Sequence, residues 1–377
     1  APSIVDAEKL AWKQEYVERE SWCDIGLYVG GTKQNIPELA HLELGRGVCG
    51  IKIFAGSSTG DLLVEDDEHL ERVMRSGRRR IAYHSEDEYR LQERKPMFKS
   101  GDPYRRHMEW RDEETAFLGT RRLMALARAT GRPAHILHVS TAEELDYLKD
   151  FRDLATCEVL VNHLTQVAPD CYDTLKGFGV MNPPIRGPRH LEAAWRAIND
   201  GTVDTVGSDH APHARDKKLL PWPDCPAGLT GVQTIVPVML NHVNAGRLPL
   251  TRMVDLMCAG PARVYGVVGK GRLAAGYDAD FTLVDMQHRR RILECLEILR
   301  GHHPRPVQIG EAVRIGRTQE IRVRRRRRSR HTMRCREGIG RGDTGRGRER
   351  SGAAGSVAGA TRPISKLRGR GLIWSAA

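Results

Sequence analysis

The stretch GSDHAPH, Gly207 to His213, sets one carboxylate and two imidazoles close together after the short, partly β-branched run Val203-Asp204-Thr205-Val206. Pro212 cannot donate to a ladder, so the strand must stop before it and Asp209 belongs at the strand's C-terminal end. In α/β barrels that end carries the chemistry. An Asp beside a metal both ligates and shuttles protons, and His213, four residues on, can reach a bound substrate. A helix-capping Asp followed by two surface histidines is the competing reading of the same residues.

A second chemical signal is Lys52 in Gly50-Ile51-Lys52-Ile53-Phe54, a lysine inside an apolar β-type run that leads into the small-residue loop Ala55 to Gly60. Burial there favours the neutral amine. A neutral amine reacts with carbon dioxide to give a carbamate, an anionic two-oxygen bridge for two metal ions. Arg80-Ile81-Ala82-Tyr83-His84 and Ala134-His135-Ile136-Leu137-His138 read as two further strands with histidines at their ends. Neutral imidazole suits zinc, although any one histidine taken alone is as compatible with core packing as with ligation. Lys52, His84, His138 and Asp209 together on strand ends argue for a metal centre. His135 lies an odd number of residues from His138, so a continuous strand would point it to the opposite face.

These residues must be held by alternating elements. Strands are expected at Ile51 to Phe54, Ile81 to His84, Ile136 to Val139, Glu158 to Asn162 and Thr205 to Ser208. Between them lie helical stretches at Glu113 to Thr130, Pro188 to Asn199 and Gly231 to Asn244. Strand then helix, repeated, predicts a parallel sheet. In the first of these helices the stripe Thr115, Leu118, Arg122, Ala125 and Ala129 is expected to cover the sheet. Met181-Asn182-Pro183-Pro184 cannot be a central strand and reads as a loop whose Asn182 amide faces a ligand.

The stretches GIKIFAGSSTG, AYHSEDE, ILHVSTAEE, NHLT, MNPPIR, GSDHAPH, AGLTGVQT, PARVYG and KGRLAAGYDADFTLVD follow one another over roughly Trp22 to Met286, and in that order the chain resembles the dihydroorotases of the amidohydrolase superfamily. The resemblance implies an α/β fold, a (β/α)8 TIM-type barrel with a small β-sandwich beside it. It makes Lys52 a carboxylated lysine bridging two zinc ions, His84 and His138 ligands of the second zinc, and Asp209 a ligand of the first and the catalytic acid/base. Asn182, His213, Ala227 and Gly228 match positions that contact substrate. The reaction implied is reversible hydrolysis of dihydroorotate to N-carbamoyl-aspartate in pyrimidine biosynthesis, with allantoin or a hydantoin suited to the same metal chemistry. A homo-oligomer is expected, and a non-catalytic scaffold for aspartate transcarbamoylase is the alternative role.

The family's first barrel strand carries His-x-His, whereas His41 is the single histidine before Lys52. The resemblance therefore implies a barrel truncated at its N-terminus, short of two ligands of the first zinc, and little activity in a chain so bounded. The domain reading is 1–265 barrel, 266–287 sandwich remnant with strands at Gly271 to Leu273 and Gly276 to Phe281, and 288–377 a basic tail. The tail is rich in Arg and Gly, with Arg324 to Arg328 unbroken, and reads as disordered or as an out-of-frame translation. The excess arginine behind the net charge of +12 over 377 residues is concentrated after residue 288, so charge says little about the catalytic part. A nucleic-acid partner is not expected, since the tail lacks aromatic interleaving and a binding module. Eight cysteines without a CxxC pair point to reduced thiols and a cytoplasmic setting, and no apolar run is long enough for a membrane span.

Overall fold

In the computed structural model, residues 2–21, 23–58 and 62–288 are described, together with the backbone of 317–322 and 373–374. Apolar β-rich runs form β1 (Ile25–Gly30), β2 (Val48–Phe54), β3 (Ile81–His84), β4 (Ala134–Ile136), β5 (Ala155–Leu160) and β6 (Thr205–Gly207), which lie side by side in chain order and are all parallel. Helices follow the strands, among them Ile36–Leu42, Asp67–Arg75, Glu113–Thr130, Ala142–Leu148, Pro188–Asn199 and Ile235–Asn244. This is the α/β barrel class expected from the alternation. β1 was not foreseen, because Gly26 and Gly30 within it weaken the strand signal.

One face of the sheet carries Val29, Ile51, Ile53, Ile81, Tyr83, Ile136, Val159 and Val206, packed against Leu70, Val73, Leu123, Met124, Leu145 and Ile198 of the helices. Each of these aliphatic side chains contributes about 1.5–3 kcal/mol by leaving water. The other face holds Tyr28, Ala82 and Leu137 against Val264, Tyr265 and Val267, and above them the polar residues of the site. Register fixes that face: Gly30 pairs with Lys52, Lys52 with Ala82, Ala82 with His135, and His135 with Thr156.

Helix Glu113–Thr130 has the expected span but a different roll. Its buried residues are Thr115, Ala116, Gly119, Thr120, Leu123, Met124 and Ala127, whereas Ala125 and Ala129 are exposed. The cause is a close approach: a Cβ on Gly119 would lie 1.8 Å from the Ser85 carbonyl oxygen, so the helix seats its glycine on the chain just past β3. Arg122 is turned outward to Asp67.

Toward the C-terminus, Gly271 to Leu273 is not a strand; Asp280–Asp285 (β7) is, and it pairs antiparallel with Arg317–Arg322 (β8). Ile373–Trp374 (β9) pairs parallel with β1. Apart from these two strand backbones, the tail expected to be disordered lies outside the described residues. Among those described, no helix is long and apolar enough to cross a membrane.

Candidate active site

Lys52 sits in the middle of β2 with 1% of its surface exposed. Burial pushes its amine from 10.5 down to about 8, against the opposing pull of Asp209 and Glu158. Its ammonium lies 4.2 Å from the centre of the Phe54 ring. The sequence expectation of a buried, readily neutralised lysine is met by this environment.

His84 closes β3, and its Nδ1 lies 3.0 Å from Nε2 of His138, with both rings buried. On its other side, His84 Nε2 is 2.8 Å from a Glu86 carboxylate oxygen. Burial alone would raise Glu86, but the Arg111 guanidinium and His84 overcome it and hold the carboxyl at about 2. Glu86 is therefore an acceptor, which assigns the His84 proton to Nε2 and leaves its Nδ1 lone pair facing His138. Desolvation keeps both imidazoles below their ordinary pKa, so the neutral His138 ring donates its Nε2–H to His84 Nδ1, and release of that one proton would leave both nitrogens able to ligate a metal.

His138 lies two residues beyond the end of β4, with φ +41°, and Asp209 lies two beyond β6, with φ +43°. Among the described residues, Lys176 is the remaining non-glycine in this region of backbone space. Such conformations cost about 1–3 kcal/mol and gather where function requires them. They also correct the reading of His135. The strand stops at Ile136, so alternation does not carry through to His138, and His135 shares the face of Ala82 and Lys52, its Nδ1 2.8 Å from Thr156 Oγ1.

Asp209 is partly accessible, but desolvation raises its carboxyl above the ordinary value, Lys52 and His84 pulling the other way. Its partner across the floor is Glu158 of β5, pushed up to about 8 by burial and by Asp209 itself. Asp209, His84 and His138 do not close into a set with all ligand atoms within 4.8 Å of one another. Three carboxylates elsewhere do, Asp24, Asp278 and Asp280, but the Lys270 ammonium sits among them at 2.7, 3.1 and 2.7 Å.

The donor set suits a divalent metal. Two ligands at a zinc–nitrogen distance of about 2.0–2.1 Å are about 3.3 Å apart in tetrahedral geometry, close to the observed 3.0 Å between the His84 and His138 nitrogens. Glu86 behind His84 is the outer partner that orients a ligating imidazole.

The residues expected to meet substrate lie nearby. Asn182 and Ala227 line a pocket of about 220 Å³ with Ser58, His107, Arg111 and Trp222. His213 Nε2 donates to the Ala227 carbonyl at 3.0 Å. Gly228 has φ +148°, and a Cβ there would lie 2.5 Å from the Ala211 oxygen. His210 turns away, its Nδ1 accepting from Gly231 N at 3.1 Å. Sequence reasoning missed Glu86, Arg111, Glu158, His107 and Lys218. Glu86 could have been found, since it lies two residues past His84; the others come from distant segments.

The model of the amidohydrolase family matches residues 118–310, just over half of the chain. The chain belongs to the amidohydrolase family. The resemblance read from the motifs is thereby borne out. This amidohydrolase is 33% identical over 306 residues to a dihydroorotase of Methanosarcina acetivorans, the match covering 77% of this chain and 65% of the relative. It is 32% identical over 300 residues to an allantoinase of Deinococcus radiodurans, covering 75% of this chain and 65% of that one. The amidohydrolase chain thus spans about 65% of the length of these curated relatives. Its fold is that of an L-hydantoinase from Arthrobacter aurescens, with TM-score 0.72, 24% identity, and 77% and 67% of the two chains covered.

Proposed function

We propose that this amidohydrolase is a metal-dependent enzyme that opens the ring of dihydroorotate to N-carbamoyl-aspartate and closes it in reverse. The observation that carries the reading is the left-handed backbone at both His138 and Asp209, which brings an imidazole to His84 and a carboxylate within electrostatic reach of Lys52. The resemblance to dihydroorotases supplies the substrate, and MNPPIR and GSDHAPH favour it over other cyclic amides.

Two zinc ions held by His84, His138, Asp209 and a carbamate on Lys52 would polarise the ring carbonyl and make water nucleophilic at neutral pH. The chain's own groups do the rest. Asp209 takes a proton from the attacking water and delivers it to the ring nitrogen as the carbon–nitrogen bond breaks. Glu86, fixed by Arg111, holds His84 in the tautomer that leaves Nδ1 free. Asn182, Ala227, Gly228 and His213 orient the ring. The segment 1–265 carries this chemistry.

The test is turnover of dihydroorotate, allantoin and a hydantoin by the purified protein joined to the His-x-His strand of a dihydroorotase and supplied with zinc and bicarbonate; without that strand, little turnover is expected. Dihydroorotate should be the preferred substrate, with activity lost on chelation and restored by zinc. Preference for allantoin would move the assignment toward the relative matched at 32% identity. Stoichiometric metal with no turnover of any of the three overturns the proposal.

A further inference from the structure

We infer that His107 is a positioning residue, locked in one tautomer by Trp222, that turns the amide NH2 of Asn182 into the pocket and so makes that wall a donor site for a carbonyl or carboxylate oxygen of the ligand. The inference rests on the functional reading above in one respect, that Asn182 meets the substrate.

His107 lies on the short helix Arg106–Trp110 and is 2% exposed, and Trp222, brought in by a segment 115 residues later, is 1% exposed. The indole Nε1 lies 3.1 Å from His107 Nδ1. An indole N–H donates and never accepts, so Nδ1 must carry the lone pair and the ring proton resides on Nε2. That N–H points at two atoms, the Met181 carbonyl oxygen at 2.9 Å and Oδ1 of Asn182 at 3.1 Å. Because the ring atom is a donor, the Asn182 atom facing it has to be the oxygen. The amide nitrogen then lies on the other side, 3.4 Å from Ser58 Oγ, at the pocket wall.

The alternative orientations each put donor against donor. A flipped Asn182 would face its NH2 toward the Nε2 proton, and a charged His107 would face a second N–H toward the indole, each leaving a buried donor unsatisfied at about 1–3 kcal/mol. The charged groups around the ring are Arg111 and Glu86; Arg111 and burial both favour the neutral imidazole, and burial dominates. With Asn182 held this way, the groups that the pocket offers at this wall are the Asn182 amide, the Ser58 hydroxyl and the Arg111 guanidinium. Such a wall selects an acceptor-rich ring over one presenting N–H at the same place.

The experiment uses the full chain with ¹⁵N-labelled histidine and asparagine. The ring signals of His107 should show an unprotonated Nδ1 and a protonated Nε2 at pH 7, and Trp222→Phe should release that tautomer. In His107→Phe the Asn182 side-chain N–H pair should exchange with solvent about tenfold faster or more, because its only ring tether is gone. With dihydroorotate, and in the protein joined to the His-x-His strand, His107→Phe should raise KM about tenfold with kcat changed little and bound metal unchanged. His107→Gln, which keeps an amide N–H near the Nε2 position, should recover most of the loss, and His107→Phe should add nothing in an Asn182→Ala background. A protonated Nδ1, or an undiminished His107→Phe effect in the Asn182→Ala background, overturns the inference. If dihydroorotate is not turned over, the functional reading fails, while the ring and amide signals still decide whether His107 holds Asn182. Should His107→Phe not fold, the Gln and Trp222→Phe proteins carry both readouts.

Discussion

Replacing Lys52 by methionine separates what this residue does for stability from what it does for metal chemistry. Its amine is pulled from 10.5 to about 8 by burial, with Asp209 and Glu158 opposing. At about 1.4 kcal/mol per pKa unit, keeping Lys52 protonated at pH 7 costs the folded chain about 3 kcal/mol relative to the unfolded one. A folded pKa below the unfolded one means that the native state binds fewer protons between the two values. The penalty is therefore fully present below pH 8 and is relieved as pH rises toward 10.5. Methionine fills a similar volume without charge, but it also leaves Asp209 without a cation, which returns part of the gain. The metal-stripped Lys52→Met protein should accordingly be more stable than wild type by about 1–3 kcal/mol at pH 7, the gap closing by about pH 10. Urea unfolding followed by far-ultraviolet circular dichroism at several pH values measures this. A variant less stable than wild type at pH 7, or a gap that does not narrow on raising the pH, refutes the reasoning that the buried amine is a stability cost retained for chemistry.

Further expectations concern groups around the same site. In a protein carrying the family's His-x-His first strand as well, Lys52→Ala should lose both metals together, and a short carboxylic acid should restore part of the turnover, whereas His84→Ala should weaken mainly one; metal per chain alongside activity measures the difference, and two bound metals in Lys52→Ala would refute the bridge. Arg111→Met strands the Glu86 carboxylate and should cost about 3–5 kcal/mol at pH 7 in urea unfolding. Glu86 is held at about 2 against an ordinary 4.5, so the contribution is present above pH 4.5 and lost as pH falls through 2; wild type and variant should converge there. Lys218 donates its buried ammonium to the carbonyls of Val180, Pro226 and Gly228 at 3.0, 2.8 and 2.9 Å, tying the Asn182 loop to the Ala227–Gly228 loop. Lys218→Met should lower stability by about 2–4 kcal/mol and raise KM, and an unchanged melting temperature would show that these carbonyls find other donors.

Local pattern was enough for much of the framework. Strand β3, helix Glu113–Thr130 and helix Pro188–Asn199 have the bounds that apolar runs, caps and glycine or proline stops dictate, because those signals act within a few residues. The candidate ligands Lys52, His84, His138 and Asp209 were legible for the same reason: a lysine in an apolar run, or an aspartate between a strand end and the proline that follows it, is chemically anomalous where it stands. What tertiary structure alone decided is how those groups meet. His84 reaches His138 across 54 residues only because β3 and β4 are registered neighbours and the chain turns left-handed at His138 after β4 has ended. The same turn breaks the alternation that placed His135 on the wrong face. Gly119 against Ser85 sets the roll of its helix, a contact of closest approach that no periodicity encodes. Arg111 on Glu86 and Trp222 on His107 follow the same rule, since a hydrogen bond's direction depends on which distant segment supplies the donor, and that is fixed only when the sheet and its loops are packed together.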